Sequence, residues 1–132
     1  MKKKFTGIFI IAIAVASIVT GCKKNDTSST TATPADYAGT YNVTGNCGNY
    51  SMTITASGSN LTLTHFHTEY TLSATVSGNT MTIPSQSHLS ATGAGPYIFA
   101  GSGTLSGNTL TISYTMKDSG GASISCSPTA TK

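Results

Sequence analysis

From about Asp36 onward, apolar residues recur at every second position and Thr or Ser fills most of the gaps. Tyr41 and Val43 flank Asn42. Tyr50, Met52, Ile54 and Ala56 alternate with Ser51, Thr53 and Thr55. The same beat returns in Leu61–Leu63, Tyr70–Val76, Met81–Ile83, Tyr97–Leu105, Leu110–Met116 and Ala122–Cys126. A period of two with one wet side is the pattern of half-buried antiparallel strands. β-branched Thr suits the wet side of a pleat without adding charge. Composition agrees: 42 residues are Ser or Thr, only 8% are charged, and all seven basic residues are Lys. A charged helical bundle is excluded, because helices carry Glu, Lys, Gln and Arg on their wet faces. Bidentate phosphate recognition is disfavoured by the lack of Arg.

Turn chemistry divides the pattern. Ser77-Gly78-Asn79-Thr80 and Ser106-Gly107-Asn108-Thr109 are nearly the same phrase, and Ser57-Gly58-Ser59-Asn60 is a looser copy. Each precedes an apolar-Thr-apolar run. Gly and Asn supply the positive φ of tight hairpins, so strands two and three, four and five, six and seven should be hairpin partners. Eight strands in meander order over residues 36–132 predict an all-β, antiparallel, eight-stranded up-and-down β-barrel; a two-sheet β-sandwich is the alternative. Closure removes edges that a sheet so poor in charge cannot defend. Nothing after residue 35 has a helical period. Gly101 and Gly103 lie on the apolar side of strand six, which predicts a bend or close packing.

The first 35 residues read differently. Met1-Lys2-Lys3-Lys4 is a positive start, and Phe5–Val19 is an apolar run of signal-peptide length, short for a spanning helix. Val19-Thr20-Gly21-Cys22 resembles the lipobox of bacterial lipoproteins. That resemblance implies a signal peptide over 1–21 and lipidation of Cys22, by a thioether-linked diacylglycerol and an N-acyl chain such as palmitate. Two or three chains make a durable anchor where one binds only marginally. In such lipoproteins Asp after the Cys favours the inner membrane. Lys23 and Lys24 stand there instead, which implies a lipid-anchored protein of the cell envelope at the outer membrane. Residues 22–35 hold no large apolar side chain and read as a flexible Ser/Thr-rich tether. Its thirteen residues after Cys22 span roughly 20 Å root-mean-square.

With Gly39-Thr40-Tyr41 opening strand one, the body over 36–132 is similar to small lipocalin-like bacterial lipoproteins. If Cys22 carries lipid, Cys47 and Cys126 remain, and an even pair in an exported chain reads as a disulfide. It would seal strand one to strand eight, provided strand eight runs on past Cys126 towards Thr129.

His65, His67 and Glu69 are the one cluster with metal-ligand chemistry. On an extended strand they share a face, and His88 in the long Ser85–Pro96 connection could add a third imidazole. A solvated hairpin end explains the same residues. Asp36, Glu69 and Asp118 are too scattered to form a paired acid and base, and no G-x-S-x-G elbow is present. No catalytic residue and no cofactor are expected. Tyr41, Tyr50, Tyr70, Phe99 and Tyr114 have inward parity. They either fill the core or line a cavity for a small apolar ligand.

The formal charge of +3 offers no argument for nucleic acid. Three of the Lys lie in the signal segment. After it, Lys23, Lys24, Lys117 and Lys132 balance Asp26, Asp36, Glu69 and Asp118. The expectation is a non-catalytic envelope lipoprotein. It is either structural, meeting the membrane and another envelope protein, or a binder of a small apolar ligand; the alternative is a metal-dependent enzyme or metal binder using the His cluster.

Overall fold

A computed structural model of the chain describes residues 31–132. The predicted cleavage site, Cys22 and most of the tether lie outside those residues. One helical turn, α1 (Pro34–Tyr37), leads into strands β1 (Gly39–Thr44), β2 (Tyr50–Ser57), β3 (Asn60–Phe66), β4 (Tyr70–Ser77), β5 (Thr80–His88), β6 (Tyr97–Ser106), β7 (Thr109–Lys117), β8 (Ser123–Cys126) and β9 (Thr129–Thr131). Every pairing is antiparallel, from β1–β2 through β6–β7, and β9 closes the circle by pairing with both β7 and β1. The body is therefore the expected closed antiparallel barrel, with one additional short strand.

That additional strand comes from a break in the last one. β8 pairs with the second half of β7, Tyr114↔Cys126 to Lys117↔Ser123, and β9 with its start, Thr109↔Thr131 to Thr111↔Thr129. Pro128, which has no N–H to give a ladder, stands between them. The chain does continue past Cys126 to Thr129, as the disulfide required. Ala122 and Ile124 do not join the core. Ile124 sits at the rim, 44% exposed.

The three hairpins fall at the three Gly-containing phrases. Gly58, Gly78 and Gly107 have φ of 59°, 60° and 58°. The residue after each has negative φ, so Gly alone carries the left-handed position, as the first central residue of a II′-type turn does.

Outward residues of successive strands stand directly opposite one another. Ser77, Thr80, Thr104, Thr111, Thr129 and Thr44 form one continuous exposed row across six strands. Ser57, Asn60, Thr75, Thr82, Ser102 and Ser113 form a second. Inward residues make one core, from Tyr37 and Tyr41 to Phe66, Phe99, Leu110 and Ala130. No polar or charged residue is fully buried among the described residues.

Both ends of the barrel are defined by this path. One holds the three tight hairpins and α1. Asp36 accepts hydrogen bonds on its carboxylate from the Thr33 N–H and Oγ, both at 2.7 Å, which holds its pKa below the usual carboxylate value and fixes the turn. Ala32 N–H donates to Asn79 Oδ1 (2.7 Å), and Tyr41 Oη donates to the Tyr37 carbonyl (2.9 Å). α1 thus covers this end. It starts at Pro34, inside the stretch expected to be tether. The other end carries the β1–β2, β3–β4, β5–β6 and β7–β8 connections.

Cys47 in the β1–β2 connection is bonded to Cys126, with Cα atoms 5.6 Å apart and a sequence separation of 79. Beside it, Asn46 Nδ2 donates to the Ser125 carbonyl (3.0 Å) and the Ser127 N–H donates to Asn46 Oδ1 (2.9 Å). A side-chain amide thereby continues the seam from Thr44↔Thr129 to the disulfide. Gly45 makes room for this: a Cβ there would lie 2.7 Å from Pro128 Cα.

Candidate functional site

The end away from α1 gathers most of the chemistry-bearing side chains of the barrel. The register of β3 slips between Leu63 and Phe66 relative to β4. Such a bulge moves every later residue to the other face. Phe66, not His65, takes the inward position and is fully buried. The slip is accompanied by left-handed backbone at three non-Gly residues, His65 (φ 59°), His67 (φ 47°) and Thr68 (φ 75°).

This bulge separates the candidate metal ligands. His65 is exposed. His67 turns back over the mouth, with Nδ1 2.8 Å from Tyr114 Oη. Glu69 accepts the Ala91 N–H on Oε2 (2.9 Å), tying the hairpin to the β5–β6 connection. His88 Nε2 lies 3.1 Å from Gln86 Oε1, its ring near Phe99. Among the described residues no three His, Cys, Asp or Glu side chains come together in a way that could hold a metal ion. The shared face expected for His65, His67 and Glu69 does not form, because the strand is not straight there.

The expected cavity lining is also rearranged. Tyr41 lies at the α1 end, its hydroxyl taken by Tyr37 and its pKa pushed up to about 12 by burial and by Tyr37. The other four belong to an aromatic network at the opposite end. Phe66 on β3 meets Tyr114 on β7 at a ring-centroid distance of 4.7 Å, and Phe99 on β6 meets Tyr70 on β4 at 4.7 Å. β3 and β7 are opposite walls of an eight-stranded circle, so these rings meet across the lumen. At that level they fill the barrel rather than line a hollow, and their edge-on contacts suit aromatic quadrupoles. Phe66 is the central ring that inward parity did not select, because the bulge moves it there.

Above this floor stands a half-buried rim: Tyr50, His67, His88, Tyr97 and Met116. Burial lowers the His67 pKa, partly offset by the Glu69 charge, so the ring is neutral near pH 7. Nδ1 and the Tyr114 hydroxyl share one hydrogen bond, its direction set by the imidazole tautomer. Burial raises the Tyr114 pKa, with Tyr50 adding to the rise. Burial and then Glu69 push Tyr70 up to about 12. Tyr50 Oη is buried and has no hydrogen-bond partner. It lies beside Tyr114 and the His67 backbone, which oppose the rise in its pKa caused by burial, yet neither closes to a hydrogen bond.

One more device frames the mouth. Paired register between β4 and β5 ends at Thr75↔Thr82. Pro84 comes next in the pattern and has no N–H. Gln86 instead donates from Nε2 to the Ser73 carbonyl (2.7 Å) and accepts the Ser73 N–H on Oε1 (2.9 Å).

Fold and site together define a small closed β-barrel, capped at one end by its own leading turn and carrying an aromatic and imidazole cluster at the other. No protein-family model matches the chain, and neither does any curated protein or solved structure.

Proposed function

We propose that the chain is a lipid-anchored, non-catalytic protein of the cell envelope at the outer membrane. Its small lipocalin-like barrel would offer the aromatic end to a small apolar ligand or to another envelope protein. The observation that carries this reading is the difference between the ends. The described chain begins at Thr31 and runs directly into α1, so an anchor upstream of it would turn the aromatic mouth away from the lipid surface. The outer wall supports it too. A barrel that crosses a membrane needs an apolar outer band, whereas here the outward rows are Ser, Thr and Asn. Such a wall suits a body that stands in water and is held near a membrane by a tether. Because rings meet across the lumen, the ligand contact proposed is at the mouth rather than deep within a calyx.

Two measurements test this. Intact mass of the chain from the producing cell's membranes should show Cys22 as the first residue, carrying diacylglycerol and an acyl chain. A Cys22→Ser form should leave the membrane fraction; continued full partitioning would contradict the anchor. Native mass spectrometry of the detergent-extracted full chain should show a co-purifying small molecule. A bare chain with no bound molecule would favour the envelope-partner reading.

A further inference from the structure

We propose that His67 is an acid-operated lid on the aromatic end of the barrel. At neutral pH the imidazole lies over Tyr50 and Tyr114; on taking up a proton it swings into water and uncovers them. The lid operates in the same way whether the mouth meets a ligand or an envelope protein.

Position, backbone and bonding each point to this. His67 is half-buried in the β3–β4 hairpin, its ring set among Tyr50 of β2, Tyr70 of β4 and Tyr114 of β7 at centroid distances of 6.3, 6.5 and 6.2 Å. The ring is tied to the barrel through Nδ1, 2.8 Å from Tyr114 Oη. The hairpin around it is held in a costly form: His65, His67 and Thr68 all have left-handed backbone, and for a β-branched Thr such a φ is an outlier. Strain of this kind persists only where the surroundings enforce it, so losing a tie favours release. Tyr114, finally, has a second partner within reach. Its hydroxyl lies beside Tyr50 Oη, which is buried and unpaired. When His67 leaves, the Tyr114 hydroxyl can turn to Tyr50, so the open form replaces the bond it breaks.

The surrounding charges set the trigger. The titratable and charged groups facing His67 are Tyr50, Tyr70, Tyr114 and Glu69. Burial raises the pKa of all three tyrosines, so they stay uncharged throughout mild acid. Their ring centroids stand beyond the roughly 6 Å at which an aromatic face attracts a cation. Glu69 favours the imidazolium, but burial of the charge opposes it more strongly. An imidazolium that swings out regains its water. The free imidazole titrates near 6.5 and the closed one lower. Between those two values, each fall of one pH unit raises the open-to-closed ratio by up to about tenfold.

The test uses the full chain in detergent with labelled His, Tyr, Leu and Ile side chains, followed by NMR from pH 7.5 to 5 with an uncharged gadolinium chelate in solution. The His67 ring shifts report its protonation, and broadening by the chelate reports exposure. Tyr50 and Tyr114 ring signals should broaden in step with the His67 titration, while the Leu110 and Ile112 methyl signals stay unchanged. In His67→Gln the broadening of Tyr50 and Tyr114 should not vary with pH. A His67 that titrates while both tyrosines remain shielded would overturn the lid, as would a His67 that stays neutral down to pH 5. Broadening that reaches Leu110 and Ile112 at the same pH would also overturn it, since the whole barrel would then be opening. The wild-type titration decides the matter even if the variant does not fold.

Discussion

Gln86 pairs with Ser73 through its side chain as a neighbouring strand would through its backbone, one bond donated and one accepted at 2.7 and 2.9 Å. The substitution is forced by Pro84, which interrupts the β4–β5 ladder. Gln86→Ala should therefore free both Ser73 groups. Because they are exposed to water, the loss should be near the low end for two hydrogen bonds, about 1 kcal/mol. Urea unfolding measures it, and faster amide exchange at Ser73 would locate it.

Gly101 and Gly103 predict unequal costs. A Cβ on Gly101 would lie 2.4 Å from the Ser113 carbonyl oxygen and 2.7 Å from Tyr114 Cα, both backbone atoms that cannot turn aside. At Gly103 the nearest atom is Met81 Cε at 2.9 Å, the far end of a flexible chain. Gly101→Ala should cost about 3 kcal/mol, at the upper end of overpacking effects, and Gly103→Ala about 1 kcal/mol. Equal melting temperatures for the two variants would contradict this.

Replacing both Cys47 and Cys126 by Ala should destabilise the barrel by about 2–4 kcal/mol. The chain-entropy model for a loop of about 80 residues gives about 4.5 kcal/mol as its upper figure. The seam would still hold Asn46 on Ser125 and Ser127. Adding Asn46→Ala to the double variant should then cost more than Asn46→Ala does in the disulfide-bonded protein, as a double-mutant cycle would show.

His67 makes stability depend on acidity. Its folded pKa lies below the ordinary 6.5, with burial the main cause. In that window the unfolded chain binds more protons than the folded one, so stability rises with pH. The contribution is complete above about pH 6.5 and declines as pH falls through the unfolded and then the folded value. Unfolding free energies from pH 7.5 to 5 should fall in the wild type and fall less in His67→Gln.

Tyr50→Phe and Tyr114→Phe should behave oppositely in stability. The first removes an oxygen without a partner and should be neutral or stabilising by up to about 1 kcal/mol. The second takes the hydroxyl from His67 Nδ1 and should cost about 1–2 kcal/mol. Thermal melts of the two variants decide it.

The barrel was legible because its signals are local and repeated. Alternation places Met52, Ile54, Leu61, Leu63 and Leu72 inside, and Gly58, Gly78 and Gly107 mark the turns that form. What escaped depends on a single inserted residue or on the far side of the fold. At His65 two readings compete, continued alternation or a bulge that buries Phe66. The larger apolar gain decides, and it comes from rings on β6 and β7 that a local pattern does not contain. α1 is too short to show a period, although Thr33, Pro34 and Asp36 are the residues expected at a helix start. Pro84 interrupts the β4–β5 ladder, and the remedy, Gln86, is visible only with β4 in place. Ile124 kept the right parity and still stayed at the rim, because parity says which face a residue takes and not how far along the barrel it lies.

The six-membered row from Ser77 to Thr44 holds no ionisable side chain, nor does the row from Ser57 to Ser113. Water wets these walls by hydrogen bonding alone. Counter-ions have nothing there to screen, and protons have nothing there to titrate. Such a coat stays equally hydrated in brine and in fresh water, in mild acid and in mild base. The barrel keeps the same skin across such changes of salt and acidity.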